Sequence, residues 1–270
     1  MLKFRSFALM AGVALLGSAC GPEASDTQAP TVSWEEFRAS AHQEAEGGKF
    51  IVDGDLAFDS MDDVKAFYDD NVAKENGTSE GGLAVYYVGG ADVKWSSTQK
   101  GNLTYCVSSS SFGSRYSTVV NAMNSATAAW EATASVNFVH SSSYDSSCTA
   151  SQTGVLFDVR QTSDTSYLAR AFFPNNARSS RNVLISTSAF GSISPYTMAG
   201  ILRHELGHTL GFRHEHTRST SSGCYEDAQW RALTTYDRAS VMHYPQCNGT
   251  NTGDLVLTSL DKSGARALYP

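Results

Sequence analysis

Three histidines of this chain are spaced to serve a single metal ion. They lie in His204-Glu205-Leu206-Gly207-His208-Thr209-Leu210-Gly211-Phe212-Arg213-His214-Glu215. On a helix, residues four apart share a face, so His204 and His208 can aim both imidazoles at one point. Gly211 lets the chain leave that helix with a positive φ and bring back His214 as a third ligand. Three protein ligands keep a coordination position for water, the pattern of a catalytic zinc rather than a structural one. Glu205, one place round the helix from His204, flanks the ion as a general base. The chemistry this predicts is attack by a zinc-activated water on a peptide carbonyl, with one zinc ion as cofactor. A chance set of histidines on an amphipathic helix accounts for His204 and His208, but not for the glycine and third histidine at the required spacing. His216 and His243 are left out of the ligand set, because the three spaced histidines already complete it.

These groups need a frame. The helix that carries them is predicted from about Tyr196 to Leu210, after Pro195. Leu103–Val107, Val155–Arg160, Tyr167–Phe173 and Val183–Ser186 read as strands, and Ser117–Thr133 as an amphipathic helix with Val120, Met123, Thr127 and Trp130 on one face. The last 60 residues offer little regular structure beyond a closing helix at Ser259–Leu268. The expected fold class is α+β: a mixed twisted sheet with two main helices, then a loop-rich C-terminal subdomain with that closing helix.

Of the 270 residues, 41% are hydrophobic and 17% charged, an ordinary globular balance. A net charge of −7 gives no basic surface for nucleic acid. The charge is uneven. Residues 21–80 carry 15 acidic and 4 basic side chains, whereas residues 81–270 carry 12 and 14. An acidic leading part is thereby set off from a nearly neutral body. The expected division is an export signal over 1–20, an acidic propeptide over 21–95 and a catalytic domain over 96–270.

The signal reading rests on Lys3 and Arg5 ahead of the apolar run Phe7–Leu16, which is shorter than the roughly 20 residues of a transmembrane helix. Two processing routes stay open. Gly17-Ser18-Ala19 suits cleavage after Ala19, while Leu16 to Cys20 resembles a bacterial lipobox and would leave Cys20 as a lipid anchor. The second route accounts for the odd cysteine. Cys106, Cys148, Cys224 and Cys247 then form an even set that implies disulfides in an exported chain. Of the three pairings available, Cys106–Cys148 with Cys224–Cys247 joins the nearest partners.

Within the acidic part, Ser33-Trp34-Glu35-Glu36 opens a helix with a capping box, and Ser60-Met61-Asp62-Asp63 opens a second. Phe50–Leu56 between them reads as a short strand. Past the second helix, glycines at 77, 81–82 and 89–90 punctuate the chain and point to a cleavage or hinge region there or just beyond.

The pattern HExxHxxGxxH resembles the signature of the metzincin zinc peptidases, and Ser240-Val241-Met242-His243-Tyr244 resembles their Met-turn. Glu215 after the third histidine, the S-x-M-H-Y turn and Arg218 make the astacins the most similar family. The later Asp-Arg-Asp of that family is replaced by Ser219, Thr220 and Ser221, which favours a divergent bacterial relative.

The resemblance implies a secreted or cell-surface endopeptidase acting on proteins and peptides. It implies that Tyr244 stabilises the oxyanion, that Met242 supports the ligands from beneath, and that Glu215 ties down the N-terminus released on maturation. Astacin propeptides carry F-x-G-D-I, whose aspartate blocks the metal. Gly54-Asp55-Leu56 matches its centre, with Val52 in place of the phenylalanine, so Asp55 is a candidate switch. Asp-Gly-Asp is equally the composition of a plain turn. Substrates in such folds lie along an edge strand, here Tyr167–Phe173. Two rivals remain: a zincin-like binding protein without turnover, and a zinc hydrolase of non-peptide substrates.

Overall fold

The computed structural model of the chain describes residues 32–45, 48–52, 54–69, 82–218, 229–251 and 254–270. The expected export signal, Cys20 and Cys224 lie outside them. No described helix is long and apolar enough to cross a membrane.

Ser33 opens α1 (Trp34–Ser40) with a capping box, its hydroxyl receiving the Glu36 N–H while the Glu36 carboxylate receives the Ser33 N–H. Next come β1 (His42–Gln43), β2 (Phe50–Val52) and β3 (Leu56–Phe58), then α2 (Met61–Phe67), capped by the Ser60 hydroxyl. The stretch expected as one strand over residues 50–56 is a hairpin instead. β2 pairs with β3 antiparallel, and the chain reverses through Gly54, at φ +90°, and Asp55. The turn chemistry of Asp and Gly overrides the β-propensity of the flanks. Phe37, Val52, Leu56, Val64 and Phe67 form a small core for this N-terminal segment.

β4 (Gly82–Val88) and β5 (Ala91–Asp92) form an antiparallel pair. The glycine-flanked region expected as a hinge is thus a strand, with Leu83, Ala84 and Val85 fully buried. Tyr86 N–H donates to the Gly211 carbonyl and Arg213 N–H to that of Ala84, so residues 82–95 are built into the body that holds the histidines.

The main body continues as β6 (Leu103–Val107), α3 (Ser109–Phe112), α4 (Tyr116–Glu131), β7 (Phe138–His140), β8 (Phe157–Thr162), β9 (Ala169–Arg170), β10 (Asn182–Ser186) and α5 (Met198–Thr209). Its sheet runs in the order β7-β6-β8-β10-β9. All pairings are parallel except β9 on β10, which makes the sheet mixed and β9 its terminal strand. The strand expected over Tyr167–Phe173 shrinks to Ala169–Arg170. Val183 and Ile185 of β10, Leu202 and Leu206 of α5, and Met123 and Trp130 of α4 belong to one core. Trp130 stacks on Phe212 at 5.3 Å, and its indole N–H donates to the Arg203 carbonyl at 2.9 Å.

The described part of the last 60 residues holds one strand more than expected. β11 (Trp230–Thr234) pairs with β4, and α6 (Ser259–Leu268) packs on both. This strand escapes local reading because its partner lies about 150 residues earlier. Cys106 and Cys148 are joined by a disulfide, and Cys247 is also disulfide-bonded.

Candidate metal centre and active site

Thr197 caps α5 by receiving the Gly200 N–H. One turn later His204 and His208 lie on the same face. Gly211 then reverses the chain at φ +98°. A side chain there would also collide with the Val93 carbonyl oxygen, so glycine is required for space as well as conformation. The turn brings back His214, which is fully buried.

The rings are aimed by backbone carbonyls. His204 Nδ1 donates to Val241 O at 2.7 Å and His208 Nδ1 to Phe212 O at 2.8 Å, which leaves each Nε2 with its lone pair directed inward. The three Nε2 atoms converge, with His214 at 3.3 Å from His204 and 3.2 Å from His208. A fourth donor arrives from the N-terminal segment. Asp55 Oδ2 stands 3.4, 3.3 and 3.2 Å from the Nε2 atoms of His204, His208 and His214. A regular tetrahedron with such edges has its centre about 2.0–2.1 Å from each corner, the usual distance of zinc from imidazole nitrogen or carboxylate oxygen. Four buried lone-pair donors facing one another suit a cation of that size.

The electrostatics agree with this geometry. Burial pushes Asp55 up, but His214 and His208 outweigh it and hold the carboxyl well below the usual range. His208 is pushed down to about 4, chiefly by burial. Glu205 is held well above the usual carboxylate range, by burial first and then by the Asp55 charge. Its Oε2 has no hydrogen-bond partner among the described residues.

Beneath the histidines, residues 240–244 form a tight turn organised by α6. Asp261 accepts from the Ser240 hydroxyl at 2.5 Å and from Val241 N–H at 2.9 Å, while serving in the α6 capping box with Thr258. Met242 is fully buried. A Cβ on Gly207 would overlap the Met242 sulfur and press on the Trp130 ring, so the glycine inside the motif makes room for the methionine. Glu215 N–H donates to the Met242 carbonyl, and Glu215 Oε1 accepts from Asp237 N–H, both at 2.8 Å.

Tyr244 packs on His204 and His214 at ring distances of 5.6 and 4.4 Å. From the N-terminal segment, Gly54 lies so close that a Cβ there would stand 3.2 Å from the phenol oxygen. His216 and His243 are not among the convergent donors. His216 stacks on His214 at 4.7 Å, and His243 bonds to Tyr236 Oη at 2.7 Å. A cleft of about 250 Å³ opens beside the histidines, lined among others by Tyr167, Ala169, Ile201, Glu205 and Tyr244.

The ending Asp261 to Tyr269 also resembles that of the astacins, but reading the sequence gave neither residue a role and missed Gly207. The Tyr269 hydroxyl donates to the Leu210 carbonyl at 2.6 Å and fixes the end of α5. Only Asp261 leaves a local signal, as the fourth residue of Thr258-Ser259-Leu260-Asp261.

The family of dual-action HEIGH metallo-peptidases, peptidase M57, matches residues 72–268. Its naming pentapeptide stands here as His204-Glu205-Leu206-Gly207-His208. Among solved structures, the chain is similar to myroilysin, at 17% identity over 69% of this chain and 98% of that one, with a TM-score of 0.47. It is also similar to high choriolytic enzyme 1, a hatching-enzyme zinc-protease of the medaka fish Oryzias latipes. That match has 20% identity over 65% of this chain and 92% of the other, with a TM-score of 0.42. No curated protein matches.

Proposed function

The chain belongs to the HEIGH metallo-peptidases, and we propose that it is an exported, astacin-like zinc endopeptidase made as a latent precursor. His204, His208 and His214 would hold the zinc, which supplies an acidified water and an electrophile for the substrate carbonyl. Glu205, buried and poorly solvated, takes the proton of the attacking water and returns it to the leaving amine. The Tyr244 phenol donates to the negative charge that grows on the carbonyl oxygen. Met242 and Gly211 hold the ligands in place. Protein substrates lie in the cleft beside Glu205, paired with the edge of β9.

Latency is assigned to Asp55. The observation that carries it is one carboxylate oxygen within 3.4 Å of all three imidazole nitrogens, presented by a hairpin from a segment with its own small core. Because β4 pairs within the catalytic body, we take the propeptide to end between residues 69 and 82, earlier than the expected residue 95 and consistent with the charge division at residue 80. Maturation would give Glu215 a new α-amino group to hold. Export, the Cys224–Cys247 bridge and a lipid anchor on Cys20 belong to the same reading.

Casein hydrolysis by full-length and processed protein tests it. Processed protein should hydrolyse casein, lose activity to a chelator and regain it with zinc, while the full-length chain stays at least about tenfold less active. In the full-length chain, Asp55→Ala should remove that difference. Latency unchanged in Asp55→Ala would sink the switch, and no hydrolysis by zinc-loaded processed protein would favour a binding protein without turnover.

A further inference from the structure

A second carboxylate of the N-terminal segment is held by the catalytic body, away from the metal. Glu44 is 4% exposed. Its Oε1 accepts from the Tyr167 hydroxyl and from Arg170 Nε, both at 2.5 Å, and its Oε2 accepts from Arg170 Nη2 at 2.9 Å. The remaining arm of the guanidinium is fixed within the body, where Arg170 Nη1 donates to Asn182 Oδ1 at 2.8 Å. Both charged side chains are 2% exposed.

A buried two-pronged pair of this kind is costly to break from one side, because the remaining charge is left without compensation. Loss of the N-terminal segment would take Glu44 and leave Arg170, still aimed by Asn182, without its carboxylate. Arg170 lies in β9, the terminal strand, where neighbouring side chains point to opposite faces. Ser166, Tyr167, Leu168 and Ala169 line the cleft with His204 and Glu205, and Arg170 follows directly after them in the chain. A peptide added to the edge of β9 runs past both the cleft and Arg170. Tyr167 joins the two, lining the cleft while its hydroxyl binds Glu44.

We propose that Arg170, Tyr167 and Asn182 form a carboxylate-binding subsite, filled by Glu44 in the precursor and by an aspartate or glutamate side chain of the substrate in the processed enzyme. The inference rests on the latent-peptidase reading above. It makes Arg170 a determinant of specificity, distinct from the residues that carry out hydrolysis.

The test is a set of fluorogenic peptides that differ only by Glu or Gln at successive positions around the scissile bond, given to the processed protein. At one position, kcat/KM should be at least about tenfold higher for Glu than for Gln. In Arg170→Met that ratio should fall to about one, whatever the absolute rate. Tyr167→Phe, which keeps the ring and removes one donor, should lower it about threefold and decides the matter if Arg170→Met does not fold. A ratio near one at every position in the wild type, or one undiminished in the variants, overturns the subsite. If no peptide is cleaved, the peptidase reading fails. The subsite is then judged by fluorescence polarisation of the same peptides bound to the processed protein, where equal affinity for Glu and Gln rejects it.

Discussion

The N-terminal segment, residues 32–69, and the body from residue 82 onward are held together by different kinds of force. The body closes over a continuous apolar core that runs from Leu83 in β4 through Trp130 and Leu206 to Leu268 in α6. The segment's own core holds five of its six buried apolar residues, Ile51 being the sixth, and among the described residues one body residue, Phe173, joins that core at the margin. What attaches it is largely polar: Asp55 on three histidines, Glu44 on Arg170 and Tyr167, His42 on Asp164 at 2.9 Å, and Lys49 on Ser180 at 3.0 Å. Apolar packing is insensitive to what the active site holds. Ion pairs at the active site are not, because a cation would be shared by Asp55 and the histidines and a substrate carboxylate would compete with Glu44 for Arg170. The segment is therefore bound where the chemistry happens, and the body would not need it for its own core.

This contrast can be broken at several points. Glu205→Gln should have the largest effect, lowering casein hydrolysis by the processed protein at least about 10³-fold while zinc per chain, read by atomic absorption, stays unchanged. Retained activity would remove Glu205 from the mechanism. Tyr244→Phe should lower kcat about 10²-fold with little change in KM, since its donation is needed only as negative charge develops. A rise in KM alone would point to ground-state binding. Phe37→Ala sharpens the comparison most directly. It strips the centre of the segment's core, a change worth about 3–5 kcal/mol in a packed site. Resting activity of the full-length chain should rise about tenfold. Unchanged latency of the full-length variant would show that the segment's own core does not hold it in place. Gly207→Ala should act the other way, lowering the melting temperature of processed and full-length protein alike by a few degrees as Cβ meets the Met242 sulfur. A shift confined to the full-length chain would contradict it.

How much of the molecule is legible in its sequence depends on the range of the interactions involved. The convergence of His204, His208 and His214 is readable because helix periodicity and one glycine set their geometry within eleven residues. Leu103–Val107 and Ser259–Leu268 have the observed limits, the latter marked by a Thr cap and its Asp partner. Local signals mislead where a distant partner decides. Leu83–Val88 sits between glycine pairs, and only pairing with Trp230–Thr234 and burial under α6 make it a core strand. Gly207 is a neutral letter inside the motif, and its necessity comes from Met242, 35 residues on. The Glu44–Arg170 pair spans 126 residues and has no local mark. At Asp55 the residue type is suggestive, but only the hairpin brings it to the three histidines.

On the latent-precursor reading, the hairpin turn also bears on the timing of activation. Gly54 leans on the Tyr244 phenol and Asp55, the next residue, meets the three histidines. The two contacts belong to adjacent residues of one reversal. On that reading they are released together, and the onset of hydrolysis should be a single kinetic step.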